Sequence, residues 1–234
     1  AEDAGVDETA GVLEIGPGIG PLTQQLCLRA GKVVACELDE RLKPILALTV
    51  GEFDNLEIVW QDVLKTDVKA LVAEKFAGLR PMACANLPYY ITSPIVMMLL
   101  ESRLPVENIT VMVQKEAAQR LCATPGTREA GAVTLAVQYY AEAETLFGVS
   151  RGSFMPAPNV DSAVIRLSVR KQPPCHVQDE RQMFRLIRAG FNQRRKTLLN
   201  SLTGAGFGKA AIAAALEAAE LSPTARAEEL TLTD

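Results

Sequence analysis

Histidine is nearly absent, His176 being the only one in 234 residues. A Ser-His-Asp triad or a multi-histidine metal centre would have to be built around that single imidazole, which argues against both. The five cysteines, at 27, 36, 84, 122 and 175, are odd in number and scattered. Without Cys-x-x-Cys spacing they read as reduced core thiols rather than disulfides or zinc ligands. Long apolar runs are missing as well. A stretch such as residues 95–100 falls far short of the ~20 residues that cross a bilayer, and the N-terminus, Ala-Glu-Asp-Ala-Gly, lacks a secretory pattern. A soluble cytoplasmic protein is expected, with no membrane partner and no metal. What remains is chemistry that needs neither an imidazole base nor a bound ion.

The composition is that of an ordinary globular chain, with 48% hydrophobic and 22% charged residues. At about 150 residues per domain, one or two domains are expected. Apolar, β-branched segments at 12–15, 33–36, 56–59, 82–85 and 109–113 alternate with helical patterns at 22–28, 42–49, 68–75 and 95–100. That alternation predicts a parallel sheet covered on both faces. Helices follow at 115–122 and 132–139. Two strands then come without a helix between them, at 143–149 and 162–169, which predicts an antiparallel pair at one edge. Lys171-Gln172-Pro173-Pro174 marks a boundary, because two prolines stop a strand and stiffen a linker. Beyond it the pattern is helical at 181–202 and 210–219. The expected architecture is therefore a Rossmann-like α/β domain over 1–171 and a small all-helical domain over 172–234.

Charge is unevenly distributed. The chain is −4 overall, yet residues 171–200 carry seven basic against two acidic side chains. A basic segment in an acidic protein points to a localised polyanion contact, although a solvated helix face would read the same way.

Glu14-Ile15-Gly16-Pro17-Gly18-Ile19-Gly20 ends the first strand and opens a helix, where doubly wound proteins bind nucleotide-like ligands. The pyrophosphate fingerprint wants Gly-x-Gly-x-x-Gly, whereas position 21 is Pro and the glycines fall at 16, 18 and 20. That mismatch disfavours a dinucleotide. Glu37, with Leu38 after it, ends the second strand, where a carboxylate accepts hydrogen bonds from a ribose diol. Asp62 follows the third strand, placed to accept from an exocyclic amine while the Val63 amide donates to the ring. Either carboxylate alone is commonly a solvated strand end. Three consecutive strand ends converging on one sheet edge suit an adenosine without pyrophosphate, and S-adenosylmethionine is the candidate.

The fourth strand ends in Asn86-Leu87-Pro88-Tyr89-Tyr90. The exocyclic amine of adenine is a poor nucleophile because its lone pair is delocalised into the ring. The Asn86 side-chain oxygen and the Leu87 carbonyl are suited to accept its two N–H bonds, which directs the lone pair at a methyl donor, while Tyr89 stacks on the ring. Positioning and electrostatics would then carry the reaction without a strong base. A Pro-aromatic turn packed for stability is the competing reading, more so for Tyr90 than for Asn86.

The run Val12-Leu13-Glu14-Ile15-Gly16-Pro17-Gly18-Ile19-Gly20-Pro21-Leu22-Thr23 resembles the KsgA-type ribosomal RNA adenine dimethyltransferases. So do Glu37-Leu38-Asp39, Asp62, Asn86 to Pro94, Phe154 to Val164, and Phe191-Asn192-Gln193-Arg194-Arg195-Lys196-Thr197-Leu198. The resemblance covers nearly the whole chain in order. It implies a class I methyltransferase fold and transfer of two methyl groups to N6 of each of two adjacent adenosines near the 3′ end of small-subunit rRNA, during subunit assembly. It implies that Gly16, Gly18, Glu37, Leu38, Asp62, Val63 and Asn86 bind the cofactor, and that Asn86, Leu87, Tyr89 and Phe154 hold the target base. Phe154 suits that role independently, as a second aromatic closing on a flipped base, with a core phenylalanine as the alternative.

Erm-type enzymes, which methylate large-subunit rRNA, usually carry Asn-Ile-Pro where this chain has Asn86-Leu87-Pro88, so the KsgA pattern is followed. The family also has an upstream Gln-Asn-Phe-Leu segment that helps enclose the cofactor. The sequence given begins after it, and contacts to the methionine end are expected to be reduced. A non-catalytic rRNA-binding assembly factor is the second reading.

Arg181, Arg185, Arg188, Arg194, Arg195 and Lys196 fall on predicted helix and are expected to contact RNA phosphates with salt-sensitive affinity. Arg120 and Arg128, flanking Pro125-Gly126, are candidates to add to that surface. The expected partner is the assembling small subunit, bound by a monomer.

Overall fold

The computed structural model describes residues 1–234. Seven strands, β1 (Ala10–Ile15), β2 (Lys32–Glu37), β3 (Leu56–Trp60), β4 (Arg80–Asn86), β5 (Asn108–Gln114), β6 (Ala141–Val149) and β7 (Ser162–Val169), form one sheet in the order β3-β2-β1-β4-β5-β7-β6. The first five run parallel, and β7 lies antiparallel to both β5 and β6. This is the expected Rossmann-like sheet with an antiparallel edge. β1 is buried at all six positions, which explains its near-continuous apolar run, because a central parallel strand is covered on both faces. β6 is largely exposed and is irregular between Thr145 and Phe147, as suits an edge strand.

The crossovers are α1 (Pro21–Cys27), α2 (Lys43–Thr49), α3 (Val68–Lys75) and α4 (Thr92–Glu101), followed by α5 (Lys115–Leu121) and α6 (Ala132–Tyr140). Their starts are chemically marked. Pro21 opens α1 after Gly20 at φ 95°, a position where proline's missing N–H costs nothing. The Asp67 carboxylate caps α3 by accepting from the Ala70 amide at 3.0 Å.

Two compact units result, one of Ala1–Ala118 with Ala141–Val169 and the other of Gln119–Tyr140 with Arg170–Asp234. The first carries the sheet. The second is discontinuous and larger than the expected 172–234, because segment 119–140 packs with the C-terminal helices. The Tyr139 hydroxyl donates to the Glu180 carboxylate at 2.9 Å, and the Tyr140 ring stacks on Phe184 at 5.7 Å. Helices α7 (Glu180–Phe191), α8 (Leu198–Gly204) and α9 (Lys209–Ala218) complete it. Their small core contains Ala189, Leu202, Ile212 and Leu216. A Cβ at Gly190 would lie 3.0 Å from Leu198 and 3.1 Å from Ala227, so glycine permits this close approach.

The single helix expected over 181–202 is broken. α7 ends at Phe191, the Lys196 amide donates to the Gln193 carbonyl in a turn, and the Thr197 hydroxyl caps α8 by accepting from the Asn200 amide at 3.3 Å. Arg194, Arg195 and Lys196 therefore sit in a turn, not on a helix. Thr197 is the physical reason, since its hydroxyl satisfies an orphan amide and starts a new helix.

Candidate active site and the family it belongs to

β3, β2, β1 and β4 are consecutive neighbours, and the chain reverses strand order between β1 and β4. In such sheets a crevice opens beyond the carboxyl ends at that point. The carboxyl ends of these four strands carry Asp62, Glu37, Gly16 with Gly18, and Asn86 respectively, so the residues singled out from sequence share one edge of one sheet.

Gly16 and Gly18 have φ of 68° and 59°, a left-handed conformation costly for other residues. Nothing lies within 4 Å of where a Cβ would stand on either. The turn is thus held open on its outer side. The Gly16 amide donates to the Cys36 carbonyl at 2.9 Å, which anchors the turn to β2. Glu37 is buried, and its carboxylate accepts from the Gly18 amide at 3.4 Å and the Asp39 amide at 2.8 Å. Asp62 accepts from the Leu64 amide at 3.0 Å. Leu38 is 67% exposed beside Glu37, whereas Val63 is buried.

Asn86 is exposed at the end of β4, while Leu87 is buried with its amide donating to the Met112 carbonyl at 3.2 Å. Tyr89 and Ser162 share a 2.7 Å hydrogen bond through their hydroxyls, which ties the segment after β4 to the start of β7. The loop carrying Phe154 leads directly into β7. It is closed by the Arg151 amide donating to Asp161 at 2.9 Å, and the Lys115 amide donates to the Asp161 carbonyl at 3.0 Å. Phe154 is half-buried, with exposed Met155 next to it. Residues 73 apart in sequence, Tyr89 and Ser162, thus join two aromatic-bearing segments.

Glu14 is an acid inside the apolar run of a central strand. It is 1% exposed, and its Oε2 has no hydrogen-bond partner. Burial raises its carboxyl from 4.5 to about 7, with the Thr23 hydroxyl lowering it and the Glu37 charge raising it. An acid with a raised native pKa is more protonated folded than unfolded between those values, so its contribution to stability falls as pH rises from 4.5 to about 7. The loss is on the order of 3 kcal/mol. Urea unfolding at pH 5 and pH 8 is expected to show this loss in the wild type and a flatter response in Glu14→Gln. Equal pH responses would show Glu14 to be ionised in the native state. Cys27, Cys36 and Cys84 are buried free thiols, which burial pushes up to about 11, 11 and 12.

In the second unit Arg120, Arg128, Arg181, Arg185, Arg188, Arg195 and Lys196 are exposed. Arg185 lies 4.7 Å over the Phe207 ring. Arg194 is occupied differently. Its Nη2 donates to the carbonyls of Arg128 at 2.7 Å and Ala130 at 2.8 Å, so this guanidinium cross-links the fold.

The first unit's site can be tested against a ligand class. A pyrophosphate would need free turn amides, but the Gly18 amide faces the Glu37 carboxylate, which repels an anion and suits a cationic nucleoside. The open glycine turn and the acids at β2 and β3 fit S-adenosylmethionine. The ribosomal RNA adenine dimethylase family matches residues 1–232. The chain belongs to that family. It is an S-adenosylmethionine-dependent methyltransferase.

The ribosomal RNA small subunit methyltransferase A of Geobacillus thermodenitrificans is 52% identical over 236 residues, covering 99% of this chain and 80% of its own length. The protein of the same name from Streptococcus mutans is 48% identical over 240 residues, covering 100% of this chain and 82% of its own. Among solved structures, a dimethyladenosine transferase from Plasmodium falciparum aligns with a TM-score of 0.77 at 27% identity, covering 99% of this chain and 89% of its own. The 23S rRNA methyltransferase ErmE aligns at 0.70 and 28% identity, covering 97% and 91%. The fold is therefore shared with a 23S rRNA methyltransferase, while the higher sequence identities are to small subunit methyltransferases. No helix is long and apolar enough to cross a membrane.

Proposed function

We propose that this chain dimethylates N6 of two adjacent adenosines near the 3′ end of small-subunit rRNA, acting as a cytoplasmic monomer, without a metal, on the assembling small subunit. The observation that carries the reading is the Tyr89–Ser162 hydrogen bond, which ties the Asn86–Tyr89 segment to the start of β7, just after the loop that carries Phe154. The identity of about 52% to small subunit methyltransferases supports the choice of subunit.

In this reading the backbone at Gly16 and Gly18 admits the cofactor closely, Glu37 accepts from the ribose hydroxyls beside Leu38, and Asp62 and Val63 hold the adenine ring. When bound, S-adenosylmethionine supplies an electrophilic methyl group on sulfur. The Asn86 side-chain oxygen also borders the cofactor. With the Leu87 carbonyl it accepts the two N–H bonds of the target amine and aims its lone pair. Tyr89 and Phe154 hold the base out of its stack between aromatic faces. The methylated nitrogen is acidic and loses its proton to water, so no side chain needs to act as a strong base. The helical unit supplies phosphate contacts through Arg120, Arg128, Arg185, Arg188, Arg195 and Lys196, with Arg194 holding that surface together.

Radiolabelled methyl transfer to small subunits lacking these methyl groups tests the reading, with naked rRNA and large subunits as controls. Dimethyladenosine on small subunits alone is the expected product. RNA binding without transfer would favour an assembly factor, and transfer to large-subunit RNA would favour an Erm-type enzyme. The double substitution Arg195→Glu and Lys196→Glu is expected to weaken RNA binding at least about tenfold and to lower the slope of log affinity against log salt by about 2. An unchanged slope would return these residues to a solvated surface role.

A further inference from the structure

The cofactor's positive charge has to lie between its two fixed ends. On the assignment above, on which this inference rests, the nucleoside occupies the ends of β3 and β2 and the methyl group reaches an amine at the end of β4. β1 lies between β2 and β4, so a cofactor held at those two ends would carry its sulfonium across the carboxyl end of β1. Beneath that end, two residues before Gly16, is Glu14.

We propose that Glu14 is a positioning residue that reads the charge of the cofactor: it holds its proton more readily in the free protein, ionises under the sulfonium and recovers a proton when transfer leaves a neutral thioether. The geometry supports this. Glu14 is aligned with Ala35 on β2 and Cys84 on β4, and its Oε2 is enclosed without a partner. From α1 the Thr23 hydroxyl lowers its carboxyl and Cys27 feels its charge. From β2 the Glu37 charge reaches it, and from β4 Cys84 feels its charge. No basic side chain is among the groups that act on Glu14.

A buried carboxyl facing only thiols, a hydroxyl and another acid favours its protonated form, and an arriving cation reverses that preference. On ionisation its O–H bond breaks, the proton passes to buffer, and the carboxylate attracts the sulfonium. After transfer the cation is gone and the proton returns, which weakens the hold on the product. The pair thereby favours donor over product at the same site, a difference that burial strengthens.

Titration calorimetry of the full chain at pH 7, in phosphate and in Tris, measures the proton count directly. S-adenosylmethionine is expected to release about half a proton on binding, and S-adenosylhomocysteine distinctly less. Between pH 6 and pH 8 the affinity ratio is expected to move several-fold toward S-adenosylmethionine. In Glu14→Gln both ligands still bind, while the extra proton release and the pH dependence of the ratio disappear. Equal proton counts for the two ligands, or extra release that persists in Glu14→Gln, would overturn the proposal while leaving the cofactor site intact. Failure of both ligands to bind the wild type would remove the cofactor reading and this inference together. If Glu14→Gln does not fold, the wild-type comparison of the two ligands decides alone.

Discussion

Replacing Asn86 by alanine is expected to lower the methyl-transfer rate by at least about 100-fold, the scale seen when one oriented polar group is removed from a charge-developing transition state. The carboxamide stands exposed at the end of β4, so its removal leaves no cavity and stability is expected to change by less than about 0.5 kcal/mol. RNA affinity, which the proposed function assigns to the helical unit, should stay within about twofold of wild type. Single-turnover transfer, RNA binding and thermal unfolding measured on one preparation separate these effects. A parallel loss of transfer and RNA binding would contradict the assigned role. Asn86→Asp keeps an acceptor oxygen and should retain more transfer than Asn86→Ala, which distinguishes hydrogen bonding from shape.

A valine at Gly18 is expected to weaken S-adenosylmethionine binding about 100-fold, equivalent to about 2.7 kcal/mol. The side chain would project into the open face of the turn, where nothing now lies within 4 Å. Some of the effect on the protein is conformational, because φ at Gly18 is 59° and a non-glycine residue there costs about 1 to 2 kcal/mol. Gly78→Val provides the control. Its φ is 80°, its surroundings are equally open, and it precedes β4 at the opposite edge of the sheet from the site. Both variants should lose similar thermal stability, and only Gly18→Val should lose the cofactor. Equal binding in the two variants would remove the glycine turn from the site.

Much of this protein is determined locally. The alternation of apolar strands and helices defines a parallel sheet because only burial on both faces tolerates runs such as residues 12–15. Turn chemistry then places glycines and acids at strand ends, since the segment that leaves each parallel strand begins at the same edge. Gly16, Glu37, Asp62 and Asn86 were legible for that reason. Apolar spacing continues through 192–197 and predicts one helix over 181–202, but the turn there and the Thr197 cap divide it.

Tertiary structure decided what no local pattern encodes. The Tyr89–Ser162 bond joins segments 73 residues apart. Arg194 reads as one more phosphate ligand in a basic run, yet its guanidinium meets carbonyls 64 and 66 residues away, because long-range packing brings that segment to it. The grouping of residues 119–140 with the C-terminal helices depends likewise on Tyr139 and Tyr140 finding Glu180 and Phe184. Glu14 is visible in sequence as an acid in an apolar strand, but its missing partner is a property of the fold. Local sequence sets which backbone forms and where strands end; the burial that raises a carboxyl, frees a carbonyl or brings two aromatics together arises only when distant segments exclude water from the same place.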